Sequence, residues 1–187
     1  MLDDFNHCNK VMNKILSKRF YSENVAEIVV EAPLIARSRK AGHFVIVRVD
    51  EHSERMPLTI SDADVNQGTI TLVVQRIGVS SSKLCDLNAG DSVADLVGPL
   101  GKATDIRQFG TVVCACGGVG AAPMLPIAQA LKSAGNRVIT VLAARNKDLI
   151  ILYDQLAAVS DEVIVMTDDG SLGQKGLVTE GVEQVIK

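Results

Sequence analysis

Gly117, Gly118 and Gly120 close an apolar segment, and Pro123 opens the amphipathic run that follows, in the stretch CACGGVGAAPMLPIAQALKSAG. Glycines at this spacing suit a phosphorylated ligand. Without a Cβ the backbone approaches a diphosphate closely, and N–H groups at a helix start point at the anion. The G-x-G-x-x-G fingerprint is varied here, because Pro123 stands where its third glycine belongs. Proline is accepted in the first helical turn, where its missing N–H is not needed. A plain packing turn uses the same glycines, so the motif takes its meaning from the strand–helix–strand pattern after it.

Two further groupings carry polar chemistry. In Arg55-Met-Pro-Leu-Thr59 the proline removes a ladder donor and marks an edge or interrupted strand. In Gly78-Val-Ser-Ser81 the hydroxyls precede a short helical segment, Lys83 to Leu87, where they serve either as helix caps or as anion ligands. Cys8, Cys85, Cys114 and Cys116 form no disulfide-like framework, and Cys114 and Cys116 read as buried thiols at a strand end. His7, His43 and His52 lack the spacing of metal ligands, so no metal site is expected.

The elements that position these residues fall into two rhythms. From Val11 to about Gly101 the chain shows short strands separated by turns, VMNKILSKRF, VAEIVVEA, HFVIVRVD, RMPLTISD, TITLVVQRIG and DSVADLVG. Strands at this spacing predict an antiparallel barrel or sandwich. The segment from Gly68 to Ile77 is apolar on both faces in its upper half, which predicts a central strand. After Gly101 the order is strand (111–116), helix (123–133), strand (137–143), helix (149–158) and strand (162–167). That alternation predicts a parallel sheet with crossover helices. The boundary falls near Lys102 to Gln108, and its polar residues read as a linker.

Composition narrows the function classes. With 187 residues, 47% hydrophobic and 22% charged, the chain can bury one large core or two small ones. A net charge of −3, 3% aromatic content and no Trp argue against nucleic acid as a partner. Apolar runs such as Val138 to Ala144 are far short of the roughly 20 residues a membrane span needs. The start, MLDDFNHCNK, lacks the basic and apolar regions of a secretion signal, so a cytoplasmic location is expected.

A barrel followed by a nucleotide-binding half, with the Arg55–Thr59, Gly78–Ser81 and Gly117–Pro123 motifs, resembles the ferredoxin reductase-like flavoprotein superfamily. Within it, RMPLTISD, VGPLGK, ARNKDLIILYDQ and TDDGSLGQKGLVTE are similar to the small FAD-containing subunits of NADH-dependent ferredoxin:NADP oxidoreductase, sulfide dehydrogenase and dihydroorotate dehydrogenase. The resemblance implies a six-stranded FAD-binding antiparallel barrel over 1–103 and an NAD(P)-binding α/β domain over 104–187, incomplete at its C-terminus. It further implies that Arg55, Pro57, Leu58, Thr59, Val74, Gln75, Gly78, Ser80 and Ser81 hold FAD, with Thr59 near flavin N5. Gly117, Gly118, Gly120, Pro123, Arg145, Asp168 and Asp169 would border the nicotinamide nucleotide.

The implied activity is hydride transfer between NAD(P)H and FAD, then electron transfer to a larger iron–sulfur flavoprotein subunit or ferredoxin. Because the cofactor carries the chemistry, no catalytic acid, base or nucleophile is expected. The alternatives are a dihydroorotate dehydrogenase electron-transfer subunit and a truncated FAD-binding fragment without turnover. Arg145 suits a 2′-phosphate and points to NADP(H), whereas the resemblance points to NAD(H), which is the preferred reading.

Two departures from relatives carry expectations. Cys116 replaces the first of three glycines and is expected to narrow the dinucleotide's approach. The relatives' later segment, with its cysteine ligands for a [2Fe-2S] centre, is not in this sequence. With a 3-2-1-4-5 strand order, Thr111 to Cys116 would then be an open edge, inviting self-association or a partner chain. A truncated chain, or one completed by a partner, is the expectation.

Overall fold

A computed structural model describes residues 13–186. Val11 and Met12, at the start of the predicted first strand, lie outside those residues, as do His7 and Cys8. Strand β1 (Asn13–Ser22) pairs antiparallel with β2 (Val25–Glu31), which pairs with a later strand, β5 (Thr69–Gln75). The sheet continues through β4 (Met56–Asp64) and β3 (Phe44–Arg48) to β7 (Asp95–Leu100), while β6 (Ser92–Val93) adds to β1.

The sheet has seven strands where six were expected, and the difference has a definite cause. The segment DSVADLVG breaks at Ala94, whose N–H donates to the Val49 carbonyl at 3.1 Å. Its first part pairs with β1 and its second with β3, so one segment joins both ends of the sheet. The result is a nearly closed barrel, which leaves little exposed edge. Alternate residues fill it: Ala26, Ile28 and Val30 from β2, Val45 and Val47 from β3, Ile70, Leu72 and Val74 from β5.

Helix α1 (Pro33–Ser38) was not anticipated, although proline at its first position is a favourable start. Helix α2 (Val79–Asp86) begins a turn earlier than the expected Lys83. The Ser81 hydroxyl accepts from the N–H groups of Ile77 and Gly78 at 3.1 and 3.0 Å, fixing the helix start there. Leu84 and Cys85 on α2 then complete the barrel core.

The second sheet is parallel, with β8 (Thr111–Gly117), β9 (Arg137–Ala144), β10 (Glu162–Thr167) and a two-residue β11 (Gln174–Lys175) side by side in that order. Helices α3 (Ala121–Ser133) and α4 (Tyr153–Ala158) cover one face and α5 (Val178–Ile186) the other. Every residue of β9 after Arg137 is buried, as befits a strand covered on both faces. The order matches the 3-2-1 half of the expected arrangement, and among the described residues β8 pairs only with β9.

The helix expected over 149–158 is shortened to α4. A 3-10 turn at Lys147–Leu149 and a left-handed Leu152, φ +58°, precede it. Neither β11 nor α5 was anticipated. Gly181 lets α5 lie close on the sheet, since a Cβ there would meet Val141 Cγ1 at 2.6 Å.

The two sheets share a core. Val25 and Val73, on the outer face of the barrel, are buried in the same cluster as Cys114, Leu125 and Leu142. This explains why β5 is apolar on both faces. Helix α3 also packs against β4, so the nucleotide-turn helix rests on the barrel.

Candidate functional site

The apolar strand β8 ends in a 3-10 turn, Gly118–Gly120, that runs straight into α3, and no side chain caps that helix start. A cleft of about 510 Å³ opens above the C-terminal ends of β8, β9 and β10. Gly117, Gly118, Arg145 and Asp168 line it, together with Leu177, Val178 and Thr179 from the start of α5. Ligands of open parallel sheets bind at such strand ends. Gly118 adopts φ +51°, a left-handed value that favours glycine. Gly120 has an ordinary φ of −62°, and a Cβ built there meets nothing within 4 Å among the described residues. The chain's own packing among the described residues gives no reason for glycine at 120.

Gly120, Pro123 and Asp169, also singled out from the sequence, stand beside this cleft and not in its wall. Asp169 shapes the neighbouring loop: it accepts from the Ser171 N–H at 2.9 Å, and Ser171, through its hydroxyl and N–H, holds the Asp169 carboxyl below the usual carboxylate range. The Asp169 N–H in turn donates to the Arg145 carbonyl at 3.3 Å. The end of β9 is thus tied by its backbone to the Asp168–Asp169 loop, and Asp168 shares the cleft wall with Arg145.

A second cleft, of about 560 Å³, lies on the barrel. Pro57, Leu58, Val74, Gln75, Gly78, Ser80 and Ser81 line it, as do Ile77, Val79 and Val119. Val74 contributes backbone, since its side chain is buried in the barrel core. The Ser81 hydroxyl is taken by the α2 start, while Ser80 Oγ accepts from the Glu54 N–H at 3.1 Å and keeps its proton free to donate. Ile77 and Val79 are 84% and 76% exposed, an apolar rim suited to a flat ring system. Arg55 and Thr59 do not line this cleft. Arg55 pairs with Asp95 at 2.9 Å, and Thr59 lies opposite Phe44 in the β3–β4 ladder.

Gln75 and Val119 belong to both walls, so the two clefts meet there. Val119 was not anticipated from the sequence, because an apolar side chain inside a glycine turn carries no polar signature of a binding site. Leu177–Thr179, within TDDGSLGQKGLVTE, was not anticipated in the wall, because it reaches the cleft only through the placement of α5.

Cys116 corrects an expectation. It is buried beneath α3 beside Cys114, away from the cleft wall, so it does not narrow the dinucleotide's approach. Burial, and then the neighbouring Cys114, push its thiol up to about 12. No cluster of three or more His, Cys, Asp or Glu side chains that could hold a metal ion occurs among the described residues, and no helix there is long and apolar enough to cross a membrane.

No protein-family model matches the chain. It is 39% identical over 176 residues to a dihydroorotate dehydrogenase B (NAD(+)) electron transfer subunit homolog of Thermotoga maritima, covering 94% of this chain and 62% of that protein. It is 34% identical over 171 residues to the dihydroorotate dehydrogenase B (NAD(+)) electron transfer subunit of Streptococcus pneumoniae serotype 4, covering 89% of this chain and 67% of the relative. Among solved structures, an NADH-dependent reduced ferredoxin-NADP oxidoreductase studied for flavin-based electron bifurcation superposes with a TM-score of 0.89 at 38% identity. That match covers 94% of this chain and 63% of that one. The chain thus spans less than two thirds of the Thermotoga relative and of the solved structure. By sequence identity and by fold, it belongs to the family of dihydroorotate dehydrogenase B electron-transfer subunits, which has the ferredoxin reductase-like fold.

Proposed function

We propose that the chain is a flavin-bearing electron-transfer subunit: FAD in the barrel cleft, NAD(H) in the sheet cleft, and electrons leaving to an iron–sulfur partner. The observation that carries this reading is the junction of the two clefts at Gln75 and Val119, where a nicotinamide and a flavin ring can lie against each other. Bound FAD would supply the hydride acceptor and would release electrons onward.

The chain's own residues bind, orient and exclude water. Pro57, Leu58, Ile77 and Val79 would cover the flavin rings, and the Ser80 hydroxyl with the Gly78 backbone would meet the FAD phosphates. A Cβ built at Gly78 meets nothing within 4 Å among the described residues, so the backbone there is open to a ligand. Thr59, which follows the cleft-lining Leu58 on β4 and lies outside the wall itself, would orient flavin N5 only at the edge of this cleft. On the other side, Gly117, Gly118 and Gly120 would take the nicotinamide nucleotide's diphosphate, with Pro123 setting the helix start behind them.

NAD(H) is favoured over NADP(H). Arg145 alone would attract a 2′-phosphate, but Asp168 lines the same cleft and opposes that charge. Cys85, Cys114 and Cys116 are buried, so the iron–sulfur acceptor is assigned outside residues 13–186, to a larger flavoprotein subunit or a ferredoxin. A second reading, with a dihydroorotate dehydrogenase as the partner, is favoured by the sequence relatives, which are dihydroorotate dehydrogenase B electron-transfer subunits or their homologs.

Binding tests the reading first. Purified apo chain incubated with FAD and desalted is expected to retain one flavin per chain, and titration with NADH is expected to perturb the flavin spectrum at lower concentration than NADPH. Loss of flavin on desalting would overturn the barrel assignment; an equal or stronger response to NADPH would overturn the NAD(H) preference.

A further inference from the structure

Arg55 stands at the head of β4, paired with Asp95, which lies in neither cleft wall and is itself paired with Arg48. The register of the barrel sets Asp95 on β7 opposite Arg48 on β3, and Arg48 Nε lies 2.7 Å from Asp95 Oδ2. The Arg55 guanidinium reaches that same oxygen at 2.9 Å. Both contacts are close ion pairs at a buried carboxylate oxygen, and neither is aligned as a hydrogen bond.

One carboxylate between two guanidinium groups leaves a surplus positive charge. The Arg48 side chain is 29% exposed and that of Arg55 53%, so the surplus is presented by Arg55. Partly exposed ion pairs contribute little to stability, which gives this arrangement a weak structural motive. Its position gives a stronger one. Glu54, the residue before Arg55, is tied through its N–H to Ser80 Oγ at 3.1 Å, so Arg55 emerges beside the Gly78–Ser81 turn.

We propose that Asp95, anchored by Arg48, is a positioning residue that holds Arg55 toward the phosphates of the dinucleotide in the barrel cleft; this rests on the flavin reading above. An arginine that is free to move loses rotamer freedom when an anion binds it, and a carboxylate that orders it beforehand removes that loss. Asp95 alone would cancel the Arg55 charge. Arg48 neutralises Asp95 and leaves Arg55 able to attract an anion.

The test is a fluorescence titration of the full apo chain with FAD, for wild type and for variants that shift local charge in opposite directions. Asp95→Asn adds a positive charge and Arg48→Met removes one, yet both are expected to raise the FAD dissociation constant, by roughly 3- to 10-fold. Asp95→Glu is expected to recover most of the loss, and Asp95→Asn made on an Arg55→Met background is expected to change nothing further. Thermal melting of each apo variant identifies fold damage, and Arg48→Met carries the test if Asp95→Asn melts early. Tighter binding by Asp95→Asn with weaker binding by Arg48→Met would show a simple field effect and overturn the proposal. An unchanged affinity in both variants, or an equal loss without Arg55, would also overturn it. A wild-type chain that takes up no FAD would overturn the flavin reading and this proposal together.

Discussion

Gly120 shows how a single residue separates the needs of the fold from the needs of a ligand. Its backbone angles are those of any residue, and a Cβ there enters open space. Replacing it by alanine is therefore expected to leave stability unchanged or raise it by up to about 1 kcal/mol in urea unfolding, through a less flexible unfolded chain. The same Gly120→Ala change is expected to weaken NADH binding by roughly tenfold or more, because the methyl group occupies the diphosphate's approach. A variant that loses stability while keeping its affinity would make Gly120 a packing residue. Gly118 differs, since its φ of +51° ties glycine to the turn itself. Glycine spacing is readable in a sequence because it reports on backbone geometry nearby. The Arg48–Asp95–Arg55 arrangement was not, because strand register alone brings those side chains together.

Elements were readable where local periodicity and tertiary packing agree. β10 has the expected bounds, Glu162–Thr167, and β5 is central as its two apolar faces require. The reading failed where a tertiary contact decides. DSVADLVG splits at Ala94 because its two parts pair with opposite ends of the barrel, and α2 starts early because Ser81 caps it. β11 is too short to show a period. The linker after β7 is also fixed by one distant side chain. Asn136 is buried, accepts from the Phe109 and Gly110 N–H groups at 2.6 and 3.1 Å, and donates to the carbonyls of Arg107 and Leu131 at 2.9 and 2.8 Å. Asn136→Ala would strand these backbone groups, and a destabilisation of about 2–4 kcal/mol in urea unfolding is expected. With the linker free, a loss below about 0.5 kcal/mol would show that water replaces the side chain without cost.

At the scale of the whole molecule, the shared core makes the junction of the clefts a fixed feature. Val25 and Val73 from the barrel pack with Leu125 and Leu142 from the parallel sheet and its helix, and α3 rests on β4. The two walls that meet at Gln75 and Val119 are thus built on one continuous interior. The glycine turn allowed a nucleotide half to be anticipated, and the family resemblance carried by Arg55–Thr59 and Gly78–Ser81 a flavin half. Their meeting point was hidden, because it depends on how one sheet is laid against the other. Hydride transfer across that junction is followed by anaerobic stopped-flow absorbance of the FAD-loaded chain mixed with NADH. The flavin band is expected to bleach in a single turnover, and more slowly with NADH deuterated at the transferred position. A flavin that stays oxidised while NADH binds, or bleaching with no isotope dependence for either face of the nicotinamide, would contradict it.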